Sequence, residues 1–260
     1  MQLVVPMAGL GQRFSSAGYE TPKPLIPVDG VPMVVRAVWD YPPTDRRVFV
    51  VHAEHLRQFQ IDDVLRHYFP DCRIVTTPVV TQGQACTVRL AGTELDPDDS
   101  VLVAACDNSH LYDEQEFERL TSEERYDCLI WTYRHDSRVL RRPEAHGWVR
   151  TRGETREAEF VSCKQPVSPT PMEDHAVSGC FWFRSARQML AAIDAQVAAA
   201  DRVGHEFYLD VTPNVLLRQG ARVGVFEVEK YIGWGTPDDL EDYERWGRYF
   251  ASRGCEMVRS

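Results

Sequence analysis

Apolar stretches of strand length recur through the first half of the chain. They occupy residues 3–6, 47–52, 72–77, 100–106 and 128–133. Short apolar runs bounded by polar or turn residues are typical of strands that are buried on both faces of a sheet. These stretches therefore predict a central buried sheet.

The segments between the apolar runs have helical spacing of their apolar positions. They cover residues 31–40, 55–69, 82–95 and 114–124. Strands that alternate with helices form a parallel sheet with helices on both faces, because each crossover packs back onto the sheet. We therefore predict an α/β fold with three layers, α/β/α, around a mostly parallel central sheet.

The second half of the chain is less regular. Residues 134–178 contain four prolines and many charges, which predicts loops and short antiparallel strands beside a site. Further elements are predicted as a strand at 181–183, a helix at 184–200, a strand at 221–228 and a last helix over about 236–252. Thr236 is a favourable N-cap for that last helix, and Pro237 suits its first position.

The composition of the chain narrows the classes of function that the protein could have. The chain has 260 residues and a formal net charge of -10, which argues against nucleic acid as a partner. It contains no apolar run near the roughly 18 residues that a membrane span requires. Its seven cysteines include no C-x-x-C pair, so we expect neither a disulfide framework nor a zinc ribbon. We expect a soluble, cytoplasmic protein without membrane contact, and we interpret the basic stretch 138–146 as a solvated loop.

A glycine-rich loop follows the first predicted strand, and it carries the candidate chemistry. The chain reads Met7-Ala8-Gly9-Leu10-Gly11-Gln12-Arg13-Phe14. Glycines let backbone N–H groups converge on an anion, so this loop is suited to phosphate. Phe14 stands where a dinucleotide fingerprint requires glycine, and no G-K-[ST] sequence follows, so neither the dinucleotide fold nor the P-loop is indicated. Lys23, held between two prolines, adds a second cation beside Arg13.

The A-G-x-G-x-R-F motif followed by P-K-P-L resembles the sugar-phosphate nucleotidylyltransferase family, including its small choline-phosphate cytidylyltransferase-like branch. The resemblance implies a nucleotide-diphospho-sugar transferase-like fold. It also implies that Arg13 and Lys23 are the catalytic cations on a nucleoside triphosphate. The nucleotide-binding residues that it implies are Met7, Ala8, Gly9, Leu10, Gly11, Arg13, Lys23, Gln82, Gly83 and Asp107.

Further stretches resemble the family along nearly the whole chain. "AACDN" (104–108) matches its Mg²⁺-binding aspartate, which implies Asp107 as metal ligand and Mg²⁺ as cofactor. "HGWVR" (146–150), "SCKQP" (162–166) and "VSGCFWF" (177–183) resemble acceptor-side motifs. The acceptor-binding residues implied are Asn108, Gly147, Lys164, Gly179 and Trp234, with a core position as the alternative for Trp234. The resemblance thus predicts one domain over 1–260, with a nucleotide-binding part at 1–133 and an acceptor-binding part at 134–235.

Two positions depart from the family pattern. Cys163 stands where the family has a glutamate, and Gly233 stands where many members have a second metal-binding aspartate. Either one protein carboxylate suffices for Mg²⁺, with phosphates and waters completing the shell, or another acid substitutes. We favour the first explanation. The candidates for the second are Glu206, Asp210 and Glu229.

The function predicted from these motifs is transfer of a nucleoside monophosphate from an NTP to a small phosphorylated acceptor, with release of pyrophosphate. The acceptor is a sugar 1-phosphate or a similar compound, and a cytidylyltransferase acting on a non-sugar phosphate is the alternative. A catalytically silent nucleotide-sensing domain is a second hypothesis, motivated by Gly233. A glycosyltransferase is disfavoured, since the acids of "DPDDS" (96–100) lie in a turn before a strand and not at a strand end. The sequence leaves the base and a homo-oligomeric state open.

Overall fold

The computed structural model of the protein describes residues 1–254. Its thirteen strands are β1 (Gln2–Met7), β2 (Pro27–Val28), β3 (Val31–Pro32), β4 (Arg46–His52), β5 (Arg73–Thr77), β6 (Val101–Val103), β7 (Asn108–Leu111), β8 (Cys128–Tyr133), β9 (Gly147–Thr151), β10 (Ala158–Cys163), β11 (His175–Phe183), β12 (Val223–Glu227) and β13 (Lys230–Gly233). The α-helices of these residues are α1 (Gln12–Ser16), α2 (Met33–Trp39), α3 (Ala53–Phe59), α4 (Ile61–Tyr68), α5 (Gln84–Leu90), α6 (Glu114–Ser122), α7 (Ala186–Ala198), α8 (Thr212–Arg218) and α9 (Pro237–Ser252).

Nine strands form one central sheet with helices on both faces. Its main path is β10-β9-β11-β6-β1-β4-β5, and β8 and β12 join it through β11. Alternation along β1 places Leu3, Val5 and Met7 in a core with α2 and α6, whereas Val4 packs in a second core with α5 and α7. The predicted α/β class, with a largely parallel sheet between two helical layers, is confirmed.

The order of the central strands places two loops at one edge of the sheet. β4 lies on one side of β1 and β6 on the other, and both pair with β1 in parallel. At such a reversal of strand order, the loops that leave the carboxyl ends diverge and open a crevice. The glycine loop leaves β1 and residues 104–107 leave β6, so the fold brings these distant segments together.

β11 contains an irregularity beside this crevice. Phe181–Phe183 pair with β6, and His175 and Ala176 pair with β9. Between these two contacts the register against β8 shifts, and Gly179 adopts a φ of 90°. Such bulges redirect the backbone locally. The bulge therefore presents residues 178 and 179 toward the end of β6.

Two local predictions differ from the structure, and some elements were not predicted. The helix predicted over 55–69 is two helices, because Gln60 adopts a left-handed φ of 45° between α3 and α4. The strand predicted over 100–106 covers only Val101–Val103, and Ala104 donates one further backbone hydrogen bond to the carbonyl of Val4 on β1. The antiparallel pair of β7 and β13 and the helix α8 were not predicted.

No helix among residues 1–254 has both the length and the apolar character to cross a membrane. The cysteines within that range are free, in agreement with the expectation from their spacing. Cys255, the seventh, lies outside the described residues.

Candidate active site

The glycine loop and the P-K-P segment pack directly against each other. Gly11 has a φ of 62°, and a Cβ added there would lie 3.1 Å from the Cβ of Lys23. Lys23 begins a short 3₁₀ turn after the extended Pro22. Because proline fixes φ, the backbone on both sides of Lys23 is restricted. Glycine at position 11 thus lets the lysine come close to the loop.

Lys23 and Asp107 form an ion pair at the crevice. The Lys23 Nζ donates a hydrogen bond of 2.7 Å to Asp107 Oδ2, and both side chains are about four-fifths buried, at 23% and 21% exposed. Burial alone would lower the pKa of Lys23, but the charge of Asp107, the hydrogen bond to it and the neighbouring Cys106 together hold the pKa above the ordinary lysine value. Lys23 is therefore a permanent cation there.

The glycine loop lines a cavity of about 260 Å³, which we call the loop cavity. Of the predicted nucleotide-binding residues, those lining it are Met7, Ala8, Gly9, Gly11, Lys23 and Gly83. An adjoining outer cavity of about 380 Å³ is lined by Leu10, Arg13 and Lys23 among others. Arg13 is exposed, and no side chain of residues 1–254 accepts a hydrogen bond from it. Its guanidinium is thus available to an anionic ligand.

Gly83 lines the loop cavity at a point where its backbone lies very close to the backbone of Phe207. Its φ is 124°, and a Cβ there would lie 2.5 Å from the carbonyl oxygen of Phe207. The same approach allows the Phe207 N–H to donate to the Gln82 carbonyl at 2.8 Å. The Gln82 side chain, however, is exposed and accepts a hydrogen bond from Arg202 at 3.0 Å. Gln82 therefore does not line the loop cavity.

A second, larger cavity of about 640 Å³ opens beside the loop cavity. The residues predicted from sequence that line it are Arg13, Asp107, Asn108, Gly147 and Gly179. The fold therefore brings together one predicted nucleotide cation, the predicted metal ligand and three predicted acceptor residues. Tyr208 and Gln84 line both this large cavity and the loop cavity, so the two adjoin.

A buried hydrogen-bond network fixes Asn108. Its Oδ1 accepts a bond of 2.9 Å from the Tyr41 hydroxyl, and its Nδ2 donates 2.8 Å to the carbonyl of Ser178. The same Tyr41 hydroxyl lies 3.0 Å from the carbonyl of Ala105. Buried polar groups satisfied in this way become rigid. Tyr41 thus holds the loop that carries Asp107 against the bulge of β11, and no motif in the sequence pointed to it.

The segment after β13 lies against Asp107, but its positions 233–235 carry no acid. The Trp234 N–H donates 2.8 Å to the Asp107 carbonyl, and a Cβ at Gly235 would lie 3.0 Å from Asp107 Oδ2. A Cβ at Gly233 would lie 2.9 Å from the ring of Tyr231. Tyr231 therefore fills the volume into which an acid at position 233 would extend.

Trp234 and Lys164 are not brought to the large cavity. Trp234 is fully buried in the core, edge-on to Tyr243, which is the alternative position that the sequence had left open. Lys164 is exposed, and its amino group donates to the hydroxyl of Tyr208 and lies 4.4 Å from that ring. Lys164 does not line the large cavity itself, but it is hydrogen-bonded to Tyr208, which does.

Asp210 lines the large cavity next to Gly147. A Cβ at Gly147 would collide with the Asp210 carboxylate, so glycine is what makes room for it. Burial raises the pKa of Asp210 to about 6, although the neighbouring Cys163 thiol and the charge of Lys164 act in the opposite direction. From the sequence, Asp210 was one of the alternative metal ligands.

The basic stretch 138–146 is exposed at most of its positions, as interpreted from the sequence, and it also lines the large cavity. Its residues Arg138, Arg141, Arg142, Ala145 and His146 line the large cavity. Arg138 is neutralised by hydrogen bonds to Asp136 and also donates 2.8 Å to the carbonyl of Tyr231. Charge patterning cannot distinguish a loop that folds over a cavity from one that faces only solvent.

The acids that line the large cavity, Asp107, Asp210, Asp238 and Asp239, do not form a cluster that could hold a metal ion. Within residues 1–254, no group of three or more His, Cys, Asp or Glu side chains is arranged to hold a metal. Asp107 presents one oxygen to Lys23 and remains 21% exposed. Mg²⁺ is commonly held by one or two carboxylates together with substrate phosphates and water. Asp107 therefore fits a magnesium ion that arrives with its nucleotide.

Comparisons with known proteins agree with this geometry. The sequence model of a family described as the MobA-like NTP transferase domain matches residues 3–208. A nucleoside-diphosphate-sugar pyrophosphorylase from Vibrio cholerae RC9 superposes with a TM-score of 0.75 at 20% identity, over 94% of this chain and 99% of its own. An inositol-1-phosphate CTP transferase from T. maritima superposes with a TM-score of 0.72 at 16% identity, over 96% of each chain. No curated protein matches the sequence significantly. At these identities the two structures establish a common fold.

Proposed function

Since the chain belongs to the family of MobA-like NTP transferase domains, we propose that it is a nucleotidylyltransferase that joins an NMP from an NTP to a small phosphorylated acceptor. The observation that carries the proposal is the Lys23–Asp107 ion pair. Lys23 lines the loop cavity, whereas Asp107 lines the large cavity. The pair therefore lies where a nucleotide in one cavity meets an acceptor in the other.

The proposed reaction needs charge stabilisation and not a base. An oxygen of the acceptor phosphate, already anionic, forms a bond to the α-phosphorus, and the bond from that phosphorus to pyrophosphate breaks. The barrier arises chiefly from repulsion between anions, so positioning and cations are decisive. Arg13 is suited to grip the β- and γ-phosphates with its planar fork, and Lys23 is suited to the α-phosphate as a compact charge.

Mg²⁺ is the proposed cofactor, held by Asp107 and the phosphates of the nucleotide. When bound, it would neutralise negative charge on those phosphates. Gly233 and the packing of Tyr231 against it support a site with one protein carboxylate.

The predicted nucleotide-binding and acceptor-binding parts of the chain contribute differently to the two cavities. Residues 1–133 supply the glycine loop, Lys23 and Gly83 to the loop cavity, and Arg13 and Asp107 to the large cavity. Residues 134–235 supply Gly147 and Gly179 to the acceptor side, where Asn108 joins them. The acceptor is proposed to be a sugar 1-phosphate or a similar compound. The alternative is a non-sugar phosphate with CTP as donor, and CTP is also the donor in the name of the T. maritima transferase.

The proposal is tested by pyrophosphate release across ATP, CTP, GTP and UTP, each with a panel of phosphate acceptors and Mg²⁺. We expect acceptor-dependent release with at least one pair. The absence of release with every pair, from protein shown to be folded, would contradict an enzymatic function. Nucleotide binding without release would instead support the silent sensor that Gly233 suggested.

A further inference from the structure

We propose that Asp210 selects the acceptor: its carboxylate accepts a hydrogen bond from a hydroxyl or primary ammonium group, so that acceptors without such a donor are disfavoured. This inference rests on the proposed function of the large cavity. It assigns to Asp210 a part in specificity and none in the transfer step.

The fold makes room for this carboxylate at the cavity wall. A Cβ at Gly147 would lie 3.0 Å from the Asp210 Cγ and 3.1 Å from the Cγ2 of Val177. Asp210 therefore lies close to Val177, at the start of the bulge that also contacts Asn108 through Ser178. The wall of the large cavity therefore contains both the Asn108 amide and the Asp210 carboxylate.

The Asp210 carboxylate has no cationic partner within residues 1–254. None of the ion pairs formed by the described residues includes it, and the amino group of nearby Lys164 is bound to Tyr208 instead. Asp210 is nevertheless only partly exposed. Keeping a carboxylate in such surroundings is unfavourable unless a donor satisfies it. Its one side-chain donor among the described residues is the Cys163 thiol, which is a weak donor, so a ligand that fills the large cavity and excludes water must supply a stronger one.

The aromatic side chains of the cavity do not favour a quaternary ammonium group. Such a cation is recognised by open ring faces, because it has no N–H to donate. Tyr133 and Tyr231 stack on each other, with ring centroids 4.5 Å apart and planes 5° apart. One face of Tyr208 is covered by the Lys164 ammonium. Each of these three rings therefore has one face covered by another side chain of the protein, and that face is not open to a ligand.

The test compares wild-type protein with Asp210→Asn and with Asp71→Asn, a matched control at an exposed acid that lines none of the cavities described above. The acceptors are glucose 1-phosphate, glycerol 3-phosphate, ethanolamine phosphate and choline phosphate, the last having no hydrogen-bond donor on its cation. We measure kcat and KM by pyrophosphate release for the acceptor and for the NTP.

We expect the best acceptor to carry a hydroxyl or primary ammonium group. Asp210→Asn should raise its KM about tenfold to a hundredfold, as for the loss of a hydrogen bond to a charged group, while the KM for NTP stays within about twofold. Asp71→Asn should change neither KM. A preference for choline phosphate, or an acceptor KM in Asp210→Asn within about twofold of the control, would overturn the inference.

If no acceptor is turned over, the proposed function fails separately, and calorimetric titration of the same four phosphates decides about Asp210. Binding that Asp210→Asn weakens at least tenfold, and Asp71→Asn does not, supports the assignment. Equal binding to both variants, or no binding to wild type, overturns it.

Discussion

Lys23 and Asp107, 84 residues apart in sequence, form an ion pair of 2.7 Å that joins the loop after β1 to the loop after β6. The pair exists because β1 and β6 are parallel neighbours and their carboxyl ends meet at one edge of the sheet. A cation is thus fixed beside the candidate metal ligand before any substrate binds.

Replacing Lys23 by alanine should lower turnover at least tenfold, because a cation at the reacting phosphate is lost. Steady-state pyrophosphate release measures the effect. Lys230→Ala is the matched control, since Lys230 is exposed on β13 and lines none of the cavities described above. Turnover retained in Lys23→Ala would remove the catalytic assignment of this residue.

Two glycine substitutions should separate folding from nucleotide binding. Gly83→Ala should be strongly destabilising, because its Cβ would lie 2.5 Å from the Phe207 carbonyl oxygen and φ is positive. Gly9→Ala meets no atom within 4 Å, so its melting temperature should stay near that of wild type while the KM for NTP rises. Thermal unfolding and NTP titration check both variants. A stable Gly83→Ala, or a Gly9→Ala with unchanged NTP binding, would contradict these roles.

Much of the nucleotide side could be predicted from the sequence, because the residues that indicate it lie close together along the chain. Gly11, Arg13 and Lys23 lie within one loop, and the spacing of glycine, arginine and proline-flanked lysine indicates phosphate without reference to the rest of the chain. The strands around them were also predictable from continuous apolar runs.

The acceptor side was harder to predict from the sequence, because its residues are far apart in the chain and come together only when the protein folds. Tyr41 is contributed by the segment after α2, and its role depends on contacts with residues 64 and 67 positions away. Trp234 belongs to a stretch that resembles a binding motif, yet the β7–β13 pair directs it into the core. No local pattern encodes either outcome.

Tyr41→Phe should weaken both stability and acceptor use. The change removes the hydroxyl that serves Asn108 and the Ala105 carbonyl, which we expect to lower the free energy of unfolding by about 1–3 kcal/mol. The acceptor KM should rise severalfold as Asn108 loses its fixed orientation. Denaturant unfolding and kinetics measure the two effects. Tyr112→Phe, which removes a hydroxyl from another tyrosine packed against the same core, serves as control. Equal behaviour of the two variants would refute a positioning role for Tyr41.

Asp210→Asn should stabilise the protein near neutral pH. The folded-state pKa of Asp210 is about 6, above its ordinary value of 3.8. Between these values the folded state keeps a proton that the unfolded state has lost, so wild-type stability falls as pH rises from about 4 to 6. Asparagine has no such dependence. The melting temperature of the variant should therefore exceed that of wild type by a few degrees at pH 7.5 and by less at pH 5.

A stability gap that is absent, or that narrows as pH rises, would show that the Asp210 carboxylate is not penalised in the folded state. Glu229→Gln, scanned at the same two pH values, controls for the removal of one negative charge from a chain of net charge -10.

The most direct test of nucleotidyl transfer is mass-spectrometric identification of the product. Protein incubated with Mg²⁺, the best NTP and the best acceptor should form a compound equal to the NMP joined to the acceptor phosphate. It should appear in a 1:1 ratio with pyrophosphate, and it should be absent when the acceptor is omitted or Mg²⁺ is chelated. Release of free NMP or NDP without a conjugate, or nucleotide binding with no product at all, would contradict the assignment.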